Sequence, residues 1–118
     1  MADLWIKRGD TTPAVRQTLL DAAGEGVDLF GSTVRFIMAP LRGGDPVLAV
    51  AADVLQITDG SDGSKGDVGY DWEDGDTDTA GGFNAEFEVT FAGGDIETFP
   101  NSGQMLVAIV PDLDAVAS

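Results

Sequence analysis

The chain has 118 residues, 21 acidic against 6 basic side chains, a formal net charge of −15, 16 glycines, and neither cysteine nor histidine. That length predicts one domain with a modest core. Lack of cysteine excludes disulfides and thiolate sites, lack of histidine removes the commonest general base and metal ligand, and the acidic balance argues against nucleic acid and anionic lipid as partners.

Residues 4–7 read as a short opening strand, and Arg8-Gly9-Asp10 as the turn after it. Residues 13–23 are ambiguous: Val15, Leu19 and Leu20 fit a helix face behind Pro13, whereas Val15, Gln17 and Leu19 fit one face of a strand. Strand is preferred because the neighbouring segments are strands. Residues 32–39 alternate Val34, Phe36 and Met38 against Thr33 and Arg35. Residues 47–57 predict a longer strand, with Ala49, Ala51 and Ala52 leaving a helical alternative. Residues 67–73 alternate Val68, Tyr70 and Trp72 against Asp67, Asp71 and Glu73.

The plainest signal is at 83–91, where Phe83, Ala85, Phe87, Val89 and Phe91 alternate with polar residues. A period of two over that span marks a half-buried strand. Gly93-Gly94 predicts a tight hairpin to a short strand at 95–99. The apolar run at 104–110 predicts a central strand buried on both sides. Short strands at this spacing, with Gly-, Asp- and Pro-rich turns between them, predict an all-β, immunoglobulin-like β-sandwich of about seven to nine antiparallel strands. The domain spans residues 1–111, with 112–118 as a short C-terminal tail.

Charge is distributed unevenly. Residues 1–42 hold five bases (Lys7, Arg8, Arg16, Arg35, Arg42) and five acids (Asp3, Asp10, Asp21, Glu25, Asp28), whereas Lys65 is the one base after them. The acidic remainder predicts a solvated face that keeps copies soluble. The charged start predicts no signal peptide, and the apolar runs at 47–52 and 105–110 fall far short of the roughly 20 residues of a spanning helix.

Asp74, Asp76 and Asp78 stand at the spacing of the first three ligands of a calcium loop, but Thr79 occupies the position that needs glycine and Ala85 the position that needs a bidentate acid. Turn formation is the favoured reading of these acids, and no cofactor is expected. Glu86 and Glu88 share the wet face of a strand, and Ser64-Lys65 lies in a Gly-rich loop, so neither pair marks a catalytic pocket. The aromatic residues fall mostly on apolar strand phases, and core is their default. Trp5, beside Lys7 and Arg8, is the exception.

The segments Lys7-Arg8-Gly9-Asp10-Thr11, 27–36, Gly66-Asp67-Val68-Gly69-Tyr70-Asp71-Trp72, Asp76-Thr77, 80–87 and 98–103 follow one another in an order that resembles the immunoglobulin-like N-terminal domain of the tailed-phage baseplate upper protein. The resemblance implies a β-sandwich without catalysis, built into a virion. It makes Asp10, Gly31, Gly82 and Pro100 fold-keeping residues and carries over no binding site. The helical linker and receptor-binding module of those proteins have no counterpart in this sequence, which shifts the implied role toward capsid decoration, a minor capsid protein, or a tail or baseplate component.

The expectation is therefore a non-catalytic structural protein located in the virion. Its partners would be other phage virion proteins in a multi-copy symmetric assembly, with no nucleic acid and no membrane. Trp5, Lys7, Arg8 and Arg16 are the expected contact residues. The rival expectation is a carbohydrate- or host-surface-binding module in which Tyr70 and Trp72 form a sugar platform; burial of both rings excludes it.

Overall fold

The computed structural model describes residues 3–100 and 105–111. Eight strands follow one another: β1 (Leu4–Lys7), β2 (Val15–Thr18), β3 (Thr33–Pro40), β4 (Leu48–Val54), β5 (Asp67–Tyr70), β6 (Gly81–Thr90), β7 (Ile96–Phe99) and β8 (Met105–Val110). No helix occurs among the described residues. The segment at 13–23 contains a four-residue strand, and the alanine-rich segment at 47–57 is a strand as well. Gln104 and the expected tail at 112–118 lie outside the described residues.

The hydrogen-bonded path runs β1-β8-β6-β3-β4-β5-β2, with β7 alongside β6. The path folds over at β4. Residues 48–52 of that strand pair with β3, and Asp53 and Val54 pair with β5. One strand thus belongs to both layers of an immunoglobulin-like β-sandwich. The first layer holds β1, β8, β6, β7, β3 and the start of β4. The second holds the end of β4, β5 and β2.

Two sequence expectations are corrected. The β1–β8 pair is parallel, with Leu4 opposite Val107 and Lys7 opposite Val110. The strand β8 is buried on one face only: Met105, Val107 and Ile109 point into the core, while Leu106, Ala108 and Val110 are half-exposed. Its partners β1 and β6 flank it edge to edge and leave the outer face uncovered by any strand among the described residues.

The alternation in β6 works as its sequence requires, with Phe83, Ala85, Phe87 and Val89 all buried. Phe36 lies at the centre of the core. Its ring stacks on Tyr70 at 5.1 Å, meets Trp72 edge-on at 5.8 Å and lies tilted against Phe87 at 5.3 Å. Tyr70 lies on β5 and Trp72 just beyond it, so these contacts clamp the two layers together. Each such ring pair contributes about 0.5–1.5 kcal/mol beyond area burial.

Buried polar tips are satisfied around this cluster. The Trp72 indole N–H donates to the Pro13 carbonyl at 3.0 Å, and the Thr77 hydroxyl to the Asp10 carbonyl at 2.7 Å. Leaving such a group unpaired costs about 1–3 kcal/mol.

Candidate functional site

The acids of the loops are engaged in making turns. Asp21 accepts the N–H groups of Ala23 and Glu25 at 2.9 and 3.0 Å. Asp59 accepts the Ser61 N–H at 3.0 Å, and Asp62 the Ser64 N–H at 3.1 Å. Asp28 accepts from the Gln56 amide at 2.8 Å and the Phe30 N–H at 3.1 Å. These bonds favour the ionised form and hold three carboxyls below the usual aspartate value: Asp28 chiefly through Gln56, Asp59 through the Ser61 backbone and Asp62 through the Ser64 hydroxyl. Proton donation at neutral pH requires a shift in the opposite direction.

Asp76 is likewise committed. One of its carboxylate oxygens accepts both the Tyr70 hydroxyl and the Glu73 N–H. Asp74 and Asp78 are exposed, and no group of three His, Cys, Asp or Glu side chains suited to a metal ion occurs among the described residues. A cleft lies between residues 17–22 and Phe87, Phe99, Pro100 and Met105. Its acids are Asp3, Asp21 and Glu86; Asp21 holds its own turn and Asp3 accepts the Leu106 N–H at 2.8 Å.

The expected contact residues separate. Trp5, Lys7 and Arg8 lie together on and just after β1, where Trp5 is 59 % exposed. Arg16 lies on β2 in the other layer and is bound to Asp71 at 2.8 Å. Strand register puts Trp5 beside Ala108, and Ala108 beside Gly82. Leu106 stands beside Asn84, and Asn84 beside Ala39. Leu41 packs over Gly82, where a Cβ would stand 3.4 Å from Leu41 Cδ2.

The outer face of β1, β8 and the start of β6 is therefore apolar, with Asp3 and Glu86 toward one end and Lys7 toward the other. No acid lies among Trp5, Leu106, Ala108, Val110, Gly82 and Asn84, in a chain with 21 of them. Leu106, Ala108 and Val110 could not be recognised as outward-facing from sequence, because an apolar run does not reveal which face is left open.

Tyr70 and Trp72 are each 5 % exposed. Their burial removes the sugar-platform reading. No family model and no curated protein matches the chain. Among solved structures the chain is similar to CopC from Methylosinus trichosporium OB3b, at 16 % identity and a TM-score of 0.49, covering 94 % of this chain and 86 % of that one. The expected role as a structural protein of a tailed-phage virion is corrected on this finding, which is of a CopC rather than a virion protein. The likeness to CopC is one of backbone course.

Proposed function

We propose that this chain is a non-catalytic protein-contact domain that binds through the outer face of β1 and β8. The observation that carries this reading is the apolar surface that exposed Trp5 shares with Leu106, Ala108 and Val110, in a chain whose net charge is −15. Apolar surface left together and rimmed by charge is a mark of contact sites, and tryptophan is over-represented where such contacts are strongest. The bonded loop carboxylates and the lack of histidine and cysteine support the non-catalytic part. The resemblance to the immunoglobulin-like domain of the baseplate upper protein is kept as a proposal about the origin of the fold, apart from any virion role.

The test is a photoreactive residue placed at Ala108, with a control at Ser61 in an acidic loop, in protein made by the organism that encodes it. The reading expects adducts to a polypeptide from position 108 and none from 61. Adducts from 61 alone, or from neither position, overturn it.

A further inference from the structure

The first strand carries a pattern that matches itself. On the outer face of β1, Trp5 and Lys7 follow at alternate positions with Ile6 inward between them, and Asp3 stands just before the strand with its N–H and its carboxylate both bonded to Leu106. One edge of β1 pairs with β8, and the other pairs with no strand among the described residues. An open edge offers N–H and C=O groups to another strand; here the Asp3 N–H already donates to the Leu106 carbonyl at 2.8 Å and the Lys7 carbonyl accepts the Asp10 N–H at 3.0 Å, so the offer centres on Trp5.

We propose that β1 pairs antiparallel with β1 of a second copy, across a two-fold axis at Trp5, so that the first layers of two molecules join into one continuous sheet. The proposal goes beyond the protein-contact reading: it uses the free edge of β1, leaves the outer face of β1 and β8 open, and names a second copy as the partner of that edge. A two-fold axis perpendicular to an antiparallel pair sets one residue directly opposite itself. With Trp5 at the centre, Leu4 faces Ile6 of the other copy and Asp3 faces Lys7, twice over. Directly opposed side chains have Cβ atoms about 4.5–5.5 Å apart, close enough for ion pairs and aromatic contact. The Asp3 oxygen that accepts the Leu106 N–H leaves the other carboxylate oxygen for Lys7.

Other centres and other edges lack this match. Centring on Ile6 sets Trp5 against Lys7, and centring on Leu4 sets Asp3 against Trp5. The remaining edges are β2, β7 and residues 48–52 of β4, each with one pairing among the described strands. Residues 48–52 hold no charged side chain that could form an ion pair across such an edge. On β2 the choices are Arg16 against Arg16 or Arg16 against Thr18; on β7 they are Glu97 against Glu97 or Glu97 against Phe99. Like charges directly opposed destabilise a sheet. At physiological ionic strength, charges more than about 8 Å apart are largely screened, so the acidic loops do not forbid the approach.

The experiment is sedimentation equilibrium across a concentration series, with a thermal melt of each variant to confirm folding. The native chain is expected to form dimers. Lys7→Glu sets acid against acid and is expected to leave a monomer, and the exchanged pair Asp3→Lys with Lys7→Glu to restore the dimer. Trp5→Cys, in a chain with no other cysteine, is expected to form an intermolecular disulfide on oxidation. Lys7→Cys is expected to stay reduced, because four residues of offset separate the two sulfurs by about 13 Å.

Lysine on an edge also serves to prevent pairing. If Lys7→Ala strengthens association, Lys7 is such a guard and the proposal is overturned. A chain that stays monomeric, with Trp5→Cys reduced, overturns it too. If Ala108 still forms adducts to a different polypeptide in that case, the protein-contact reading survives alone; if it forms none, both fall.

Discussion

The phenolic hydroxyl of Tyr70 donates to the same Asp76 carboxylate oxygen that accepts the Glu73 N–H at 2.9 Å. This bond fixes the tip of the aromatic cluster to the loop that follows it. Burial first, then the bond to Asp76 and the nearby charges of Asp76 and Glu73, raise the phenol well above its ordinary value. The raised folded value adds stability that is present below about pH 10 and is lost as pH rises through the folded value. Tyr70 is the sole tyrosine in the chain, so tyrosinate absorbance reads it alone. It is expected to stay absent through pH 10 and to appear only far above that, or together with unfolding.

Asp76 and its neighbours Asp74 and Asp78 should separate on substitution. Asp76→Ala leaves the Tyr70 hydroxyl and the Glu73 N–H without their acceptor and is expected to cost about 1–3 kcal/mol. Asp74→Ala and Asp78→Ala are expected to stay within about 0.5 kcal/mol, as for exposed surface positions. Denaturant melts compare the three. Equal effects would restore a shared role for the acids.

Gln56 uses its whole amide. Its oxygen accepts the N–H groups of Leu29 and Gly66 at 2.8 and 3.1 Å, and its nitrogen donates to Asp28 and to the Thr58 carbonyl at 2.8 Å each. Two loops, 19–32 and 55–66, are tied at one side chain. Gln56→Ala strands two backbone donors and is expected to cost about 1–3 kcal/mol. At Gly66, φ is +86° and a Cβ would stand 2.6 Å from the Leu19 carbonyl oxygen. Gly66→Ala is expected to cost more than about 1 kcal/mol, by the same melts, with faster amide exchange at Leu29.

Asp28, Asp59 and Asp62 predict the acid limb. Their folded values lie below the ordinary one of about 3.9, so the stability they add is present above that pH and is lost as pH falls through the folded values. Side-chain NMR titration should find all three below the ordinary aspartate value. Asn replacement at the three positions should flatten the fall in stability on acidification.

The parts of the fold legible in sequence are those where one residue type repeats at one period. Phe83, Phe87 and Val89 announce a strand and its buried face by alternation alone. Pairing partners were not legible: nothing in Leu4-Trp5-Ile6-Lys7 shows that it runs parallel to β8 rather than antiparallel to a neighbour. The candidate face was half legible. Trp5 stood out by its setting, but Leu106 and Ala108 gain their meaning only from register, and Arg16, nine positions beyond Lys7, proved to belong to the other layer. Gln56 gave no signal, because Asp28 and Leu29 lie 28 and 27 positions away and only the fold brings them to it.

The parallel pairing of β1 with β8 has a consequence for how the molecule is made. Leu4 meets Val107, at almost the greatest sequence separation the described chain allows. Contacts of that range slow folding, because the entropy of closing the intervening chain must be overcome before they form. During synthesis, β1 leaves the ribosome before the other seven described strands and waits for the last of them. Until that partner emerges, Trp5 and both edges of its strand are open to any other chain nearby, including one emerging from the next ribosome on the same message.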